Sequence, residues 1–266
     1  MHPITSPHNP LIKDVRRAAD RGMLTAQGYA VAEGTHLLKE ALSSGVDIGA
    51  ILVSDEVADR EWPAHVTVHI LPRALFRDIA TTEATQGVIT LVRPRTFEVE
   101  EVFAGLPILL DGIQDPGNAG AIVRATEAFG GAGVVFLKST VSPYNPKCLR
   151  ASAGSLFRLP FLDHPEPDDI RRLIAKRAIV LYAAMPNALL SIEQVDWSKP
   201  SAILIGSEGR GISPDWSAGA THVRIPTTGV ESLNAAIAAS VILYEAKRKK
   251  LNPPTHRTDQ TRTLST

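Results

Sequence analysis

The stretch that decides the fold is "IPTTGVESLNAAIAASVILYEAKRKK", residues 225–250, where a loop of small polar residues leads into an apolar helix. Between Leu233 and Tyr244 only Asn234 and Ser240 are polar, so the pattern predicts a helix that is apolar on almost every side. A helix of this kind has to be covered on every side, and the last helix of a domain is not expected at the centre of its own core. We therefore expect one face to pack against a second copy of the chain.

The loop before this helix carries the polar residues. Ser232 is the expected N-cap, and the free backbone donors of the first turn suit a polar or anionic group. Asn234 follows in the first turn although asparagine has a low helix propensity, so we expect a role other than helix formation to place it there. Ordinary capping is the alternative interpretation.

Composition limits the classes of function. The chain has 266 residues, of which 44% are hydrophobic and 21% charged, so a globular protein with two domains is expected. The formal net charge is zero, unlike that of a strongly basic nucleic-acid binder. The local cluster of Lys13, Arg16 and Arg17 is a candidate RNA contact, with a solvated helix face as the alternative.

Three further features bear on redox chemistry, metals and membranes. Cys148 is the only cysteine, so the chain has neither a disulfide framework nor a cysteine metal site. The eight histidines show no ligand spacing, and no metal is expected. There is no apolar leader and no run of 18 apolar residues, so we expect a cytoplasmic protein without a membrane segment.

Alternating helical and strand patterns predict two α/β domains. The first spans residues 1–95, a linker spans 96–105, the second domain spans 106–251, and a polar tail predicted to be disordered spans 252–266. Continuous apolar runs such as "AILIG" are typical of strands covered on both faces of a parallel sheet. Strands are predicted over 29–34, 49–54, 66–71, 87–92, 107–111, 131–137, 178–184, 201–206 and 222–226, and helices over 9–22, 35–45, 72–80, 118–130, 168–177 and 232–250.

The first of three polar loops is "LDGIQDPGNAGAIVRATEAFGG", residues 110–131. Its Asp-Pro-Gly turn is followed by Asn118, the expected N-cap of the next helix. Arg124 falls opposite the side that would pack on the sheet, where it can reach a ligand or a neighbouring subunit. The alternative is an exposed ion pair with Glu127 three residues later.

The second loop, "ILIGSEGRGIS" at residues 203–213, carries one acid, Glu208, in a glycine-rich turn. It follows an apolar strand, as the loops at residues 110–131 and 225–234 also do. Ligands of open α/β sheets bind at the carboxyl ends of the strands, so we expect the three loops to converge there. A tight connection with a solvated acid is the alternative for Glu208.

Together the three loops resemble the signature motifs of the SpoU, or TrmH-type, RNA 2′-O-ribose methyltransferases of the SPOUT superfamily. The matching residues are Asn118-x-Gly120-x-x-x-Arg124, then Gly206-Ser207-Glu208-Gly209-x-Gly211, then Ile225-Pro226-x-x-Gly229-x-x-Ser232-Leu233-Asn234. The intervening "RASAGSLFRLP" also resembles this family, and residues 1–95 resemble the L30e-like substrate-binding domain that precedes many such enzymes.

The resemblance implies an α/β methyltransferase domain with a deep trefoil knot, a homodimer formed through this domain and the final helix, and S-adenosylmethionine as the methyl donor. The substrate would be structured RNA, with 23S ribosomal RNA as the favoured class. Implied cofactor contacts are Gly206, Ser207, Glu208, Gly211, Ile225, Pro226, Gly229, Ser232, Leu233 and Asn234. Implied catalytic residues are Arg124, Asn118, Glu208, Ser232 and Asn234, and Arg124 would also contact RNA.

The role of Arg124 stays open at this point. The family pattern assigns it as the base, but a guanidinium group holds its proton at neutral pH, so orienting a phosphate or stabilising a developing alkoxide is the alternative. Four other functions are open. They are 2′-O-methylation of transfer RNA, a non-catalytic RNA-binding or ribosome-assembly role, methylation of an RNA base, and nucleotide-dependent oxidoreduction. The Ser-Leu-Asn motif at residues 232–234 disfavours base methylation, and the missing G-x-G-x-x-G pattern disfavours oxidoreduction.

Overall fold

The computed structural model describes residues 1–251, which form two sheets with their helices. The tail predicted over 252–266 lies outside the described residues. In chain order the elements are β1 (His2–Pro3), α1 (Pro10–Arg21), β2 (Ala30–Glu33), α2 (Thr35–Ser44), β3 (Ile48–Ser54), β4 (Val68–Leu71), α3 (Arg73–Arg77), β5 (Val88–Val92), α4 (Val99–Val102), β6 (Pro107–Asp111), α5 (Pro116–Ala128), β7 (Gly133–Phe136), α6 (Pro146–Ala151), β8 (Phe161–Asp163), α7 (Pro167–Lys176), β9 (Val180–Ala184), β10 (Leu190–Ser191), β11 (Ser201–Gly206), α8 (Pro214–Ser217), β12 (Thr221–Arg224) and α9 (Ala235–Leu251).

The first sheet has the strand order β1-β4-β3-β5-β2, in which β5 is antiparallel to both of its neighbours. Helix α1 packs on it through Ile12, Val15 and Ala18, which recur every third residue and are fully buried. The Asn9 side chain caps this helix by accepting from the Leu11 N–H, and Gly22 ends it in the left-handed conformation.

The second sheet is entirely parallel, with the order β10-β12-β9-β11-β6-β7-β8. Its central strands are covered on both faces, as the continuous apolar runs predict. Ile108 and Ile203 belong to the core shared with α5 and α9, whereas Leu109 and Leu204 belong to the core shared with α4, α7 and α8. Helices therefore cover both sides of this sheet and leave its carboxyl edge to loops.

The segment predicted as a linker, residues 96–105, contains helix α4. Val102 and Phe103 are buried in the core of the second sheet, although the sequence pattern indicates no buried residue before Pro107. The segment is too short for its buried pair to stand out as a periodic pattern. The domain boundaries themselves stay a prediction.

Helices α5 and α6 pack closely through Gly120. A Cβ atom added there would lie 2.3 Å from the Cys148 carbonyl oxygen and 2.9 Å from the Ser152 nitrogen. Both are backbone atoms, so they cannot rotate away. The glycine of the Asn-x-Gly motif is therefore explained by helix packing, and Cys148, which is 0% exposed, lies on the other side of this contact.

Helix α9 buries one face against the second domain and leaves the other open. Ala239, Ile242 and Leu243 are buried, whereas Ile237 is 54% exposed and Tyr244 is 56% exposed. This division agrees with the expectation that the chain itself covers only part of this apolar helix. No helix among residues 1–251 is long and apolar enough to cross a membrane.

Replacing Gly120 by alanine should destabilise the protein by about 1–3 kcal/mol, since overpacking against backbone outweighs the gain in helix propensity. Denaturant unfolding followed by far-UV circular dichroism measures the difference. The control is Gly219→Ala, where a Cβ meets nothing within 4 Å and no positive φ is required. Equal stability of the two variants would contradict the packing explanation.

Candidate active site

The three polar loops meet at the carboxyl edge of the second sheet. Strand β11 lies between β9 and β6, and all three run parallel, so their following loops leave on the same side. Strand β12 runs parallel to β9 and delivers the loop of residues 225–234 to that edge. The convergence expected from the sequence is therefore present in the structure, at the edge where ligands of open α/β sheets bind.

A cluster of two amides and one carboxylate joins the loops. Oε1 of Glu208 accepts hydrogen bonds from Nδ2 of Asn118 at 2.6 Å and from Nδ2 of Asn234 at 2.8 Å. Nδ2 of Asn234 also donates to Oδ1 of Asn118 at 3.1 Å. We call these three residues the amide–carboxylate cluster. Hydrogen bonds to a charged acceptor are stronger than neutral ones, so the cluster holds together segments that are up to 116 residues apart.

Asn234 is the N-cap of α9. Its Oδ1 accepts from the Ala236 N–H at 3.0 Å and the Ile237 N–H at 3.3 Å, and its carbonyl accepts from the Ala238 N–H. The prediction that Ser232 caps this helix is wrong, because the helix starts at Ala235 and Ser232 lies exposed in the preceding loop. One asparagine thus caps the helix with its oxygen and joins the cluster with its nitrogen.

Asn118 is likewise not a cap. Helix α5 begins at Pro116, and Oδ1 of Asp115 accepts from the Asn118 N–H at 2.8 Å. This hydrogen bond, with help from Lys147, lowers the pKa of Asp115. Because Asp115 caps the helix, the Asn118 side chain is left to bind Glu208.

Arg124 lies on the exposed face of α5. Its predicted alternative partner, Glu127, forms a bidentate pair with Arg158 instead, at 2.7 and 3.0 Å. No hydrogen bond or ion pair joins the Arg124 side chain to another residue among residues 1–251. The guanidinium therefore faces solvent from the helix that also carries Asn118, and it is available to a ligand.

A cleft of about 190 Å³ opens beside the cluster. Gly206 lines this cleft. A Cβ atom added there would come within 2.4 Å of the Gly211 and Ile212 backbone, so only glycine fits this turn. Of the predicted cofactor contacts, Gly206, Ser207, Glu208, Gly211, Ile225, Ser232 and Leu233 line the cleft. Pro226 and Gly229 belong to the same loop without lining it, and Asn234 lies at the adjacent helix start.

The sequence reasoning missed one wall of this cleft. Ala184 ends β9, Met185 and Pro186 follow it, and all three line the cleft. The signal was available, because the strand "AIVLYAA" is a buried parallel strand and its carboxyl end must share the edge with the other loops. The residues themselves carry no polar group that would have drawn attention to them.

The predicted RNA contacts Lys13, Arg16 and Arg17 lie on α1, outside this cleft. Lys13 is exposed, Arg16 pairs with Asp78 at 3.3 Å and Arg17 pairs with Asp14. Within residues 1–251 no three His, Cys, Asp or Glu side chains are grouped so that they could hold a metal ion. Burial raises the pKa of the Cys148 thiol to about 12, which leaves it unsuited to nucleophilic chemistry.

Comparison with known proteins relates this geometry to a family. The model of the SpoU rRNA methylase family matches residues 105–244, and that of the MRM3-like substrate binding domain matches residues 9–90. A 23S rRNA (guanosine(2553)-2′-O)-methyltransferase of Bacillus subtilis is 28% identical over 93% of this chain and 100% of its own length. A 23S rRNA (uridine(2479)-2′-O)-methyltransferase of Streptomyces viridochromogenes is 30% identical over 88% of this chain and 87% of its own.

The fold agrees with a solved structure. The SpoU methyltransferase AviRb of Streptomyces viridochromogenes, crystallised with the cofactor AdoMet, superposes with a TM-score of 0.77 at 26% identity, over 91% of this chain and 99% of that one. The resemblance and the fold class predicted from the three motifs are confirmed, whereas the trefoil knot stays a prediction. The chain belongs to the SpoU rRNA methylase family.

Proposed function

We propose that this protein transfers a methyl group from S-adenosylmethionine to a ribose 2′-hydroxyl of 23S ribosomal RNA. The observation that carries the proposal is the amide–carboxylate cluster beside an apolar cleft, in a chain of the SpoU rRNA methylase family. The two relatives act on different nucleotides, a guanosine and a uridine of 23S rRNA. Their names therefore support the RNA class for this chain and not a particular nucleotide.

The lining of the cleft suits an adenosine-containing cofactor. Ile225, Leu233 and Met185 provide apolar walls, and the turn at Gly206 brings the backbone next to the space. Pockets that combine apolar walls with a few backbone polar groups are typical of cofactor sites. S-adenosylmethionine supplies a methyl group on a positively charged sulfur, which becomes neutral on transfer and so needs no acid. Gly206, Ser207, Gly211, Ile225, Ser232 and Leu233 would hold it, while Pro226 and Gly229 shape the loop.

Arg124 acts on the RNA as an electrostatic group. An exposed guanidinium keeps its proton at neutral pH, so it is suited to hold a phosphate and to stabilise negative charge developing on the ribose oxygen. No carboxylate among residues 1–251 forms an ion pair with Arg124, so its charge is available to the RNA. Of the two roles left open by the sequence, the geometry favours stabilisation over proton abstraction, and the 2′-hydroxyl proton would then pass to solvent at this exposed position.

The amide–carboxylate cluster acts by positioning. A carboxylate that accepts from both Asn118 and Asn234 is committed to these hydrogen bonds, and this holds the start of α5 and the start of α9 at fixed places. Alignment of the attacking hydroxyl with the methyl group can account for a large part of the rate of such a transfer. Ser232 is the exposed hydroxyl nearest in sequence to this cluster and lines the cleft, where it would contact the cofactor or the ribose.

The first domain would deliver the RNA. The match to a substrate binding domain over residues 9–90 supports this role, with Lys13, Arg16 and Arg17 as contacts to phosphate. A protein that modifies ribosomal RNA works where ribosomes are made, and this supports the cytoplasm as its place of action.

The open face of α9 would form a homodimer. Ile237, Val241 and Tyr244 lie four and three residues apart on one side of the helix, next to Ala236 and Ala238, which are small enough for close approach. Exposed apolar side chains clustered on one helix face are typical of interaction surfaces. A second copy of the chain is the occupant that the symmetry of most soluble oligomers favours.

Arg124→Ala should lower methylation by about 100-fold to 1,000-fold, the effect of removing one preorganised charge-stabilising group, and should leave cofactor affinity unchanged. The assay offers labelled S-adenosylmethionine and separate pools of unmodified 23S and transfer RNA, followed by digestion to nucleosides. The wild-type chain should label a 2′-O-methylated nucleoside of the 23S pool. The control is Arg172→Ala, an exposed arginine of α7.

If the labelled methyl group appears in transfer RNA alone, the substrate is transfer RNA and not 23S ribosomal RNA. Cofactor binding without any label would favour the non-catalytic role. Full activity of Arg124→Ala would remove this arginine from the mechanism.

Asn234→Asp should separate the two roles of this residue. Aspartate caps a helix as well as asparagine does, so stability should change little, but its charge would repel Glu208 and disrupt the cluster. Asn234→Ala should lose the cap as well, at a cost of about 1 kcal/mol. Thermal denaturation and methylation are measured on both variants. Wild-type turnover by Asn234→Asp would show that the cluster does not position the site.

Replacing Ile237 by glutamate should convert a dimer to a monomer, because burying a charge at the centre of an apolar interface is strongly unfavourable. Sedimentation velocity at micromolar concentration measures this. The control is Met23→Glu, a 42% exposed methionine of the first domain, which should leave the dimer intact. A monomeric wild-type chain would refute the dimer.

A further inference from the structure

Residues 150–158, "RASAGSLFR", connect the end of α6 to the strand β8 and touch the first domain. They resemble the SpoU family, yet none of them lines the cleft, so the proposed reaction leaves them without a role. We call this segment the joint. Arg150 and Arg158 of the joint contact residues that are far away in the sequence, and these contacts indicate the role of the joint.

Arg158 lies between the two domains. Its Nε and Nη2 donate to the two carboxylate oxygens of Glu127 on α5, at 2.7 and 3.0 Å. Its Nη1 donates to Glu40 at 2.6 Å and to the Ser44 hydroxyl at 3.1 Å, both on α2 of the first domain. The planar guanidinium thus binds α5 through the edge formed by Nε and Nη2, and it binds α2 through Nη1. An arginine shared by two part-buried carboxylates is a directional contact that lysine could not reproduce.

Two further contacts bring the joint close to the first domain. Gly154 adopts φ +89°, and a Cβ there would lie 2.6 Å from Cβ of Glu40, so the joint approaches α2 as closely as a glycine allows. Nη1 of Arg150 donates to the Thr81 hydroxyl at 2.7 Å, and the Thr81 backbone N–H donates in turn to Glu33, which is 3% exposed. The joint is therefore anchored at two separate places.

Helix α5 makes this anchoring relevant to the reaction. Asn118, Arg124 and Glu127 all lie on it, and Glu127 follows Arg124 by three residues, or slightly less than one turn. A movement of α2 relative to α5 would therefore change the distance between the first domain and Arg124. Arg158 joins α2 to α5 directly, beside a hydrophobic contact in which Leu37 and Ala41 of α2 share one core with Leu156 and Phe157.

We propose that Arg158 is a positioning residue, which clamps α2 to α5 and fixes how RNA held by the first domain meets Arg124. This rests on the proposed function, since it assumes that the first domain binds the RNA that Arg124 contacts. It assigns the "RASAGSLFR" segment a purpose distinct from cofactor binding. RNA that contacts both domains would depend on the clamp, whereas RNA that contacts only the catalytic domain would not.

Kinetics on RNA of two lengths test this. Glu40→Gln removes the charge on the first-domain side of the clamp and leaves Glu127 and Arg124 in place. The KM for a long 23S fragment should rise about 10-fold, because the second domain then finds its target at a lower effective concentration. The KM for a short fragment confined to the methylated loop, the kcat and the affinity for S-adenosylmethionine should not change. Arg158→Lys should raise the same KM, because lysine cannot bind both carboxylates at once.

The matched control is Arg172→Lys, which alters an exposed pair with Asp169 within one helix and should leave both KM values unchanged. An equal rise for long and short RNA would overturn the proposal in favour of a general structural role. Wild-type KM values in Glu40→Gln and Arg158→Lys would overturn it as well.

A distance measurement tests the clamp without activity. Cysteines at the exposed positions Asp59 and Lys176 carry spin labels, and the native Cys148 is 0% exposed and stays unlabelled. The distance distribution should be narrow in the otherwise wild-type chain and in Arg172→Lys, and measurably broader in Glu40→Gln. An unchanged width would overturn the clamp. A clamp that loosens as expected in a chain that methylates no RNA would instead overturn the proposed function.

Discussion

One carboxylate oxygen organises the site. Oε1 of Glu208 accepts from Asn118 at the start of α5 and from Asn234 at the start of α9, and it lies 3.5 Å from the Ala235 nitrogen. The positive end of a helix dipole and two amide donors face the same oxygen, and all of them stabilise its negative charge. The hydrogen bond from Asn234 joins two of the loops that line the cleft.

The parallel sheet explains why such distant residues can meet. Strand β11 pairs with β6 on one side and β9 on the other, and each strand delivers its loop to the same edge. The chain needs no long excursion to assemble the site, only the correct strand order. Gly206 and Gly120 mark where backbone approaches backbone, the first at the turn under the cleft and the second between α5 and α6.

Much of this could be predicted from the sequence, because strand periodicity and three ordered motifs are local patterns. The choice of caps could not. Asp115 and Asn118 are both good N-caps, as are Ser232 and Asn234, and the choice depends on a carboxylate 90 residues from Asn118. The partner of Glu127 could not be predicted either. Arg124 has the helical spacing for an ion pair with Glu127, but Arg158 binds both carboxylate oxygens through two of its nitrogens. Where two local solutions are comparable, the tertiary contact decides.

The order of the cluster along the chain has a consequence for biosynthesis. Asn118 leaves the ribosome first, Glu208 follows 90 residues later, and Asn234 a further 26 residues later. Domains fold largely as they emerge, so both domains can acquire most of their cores while the carboxylate still lacks its last amide. Such a nascent chain would have neither the cap of α9 nor the completed cluster until Asn234 has emerged.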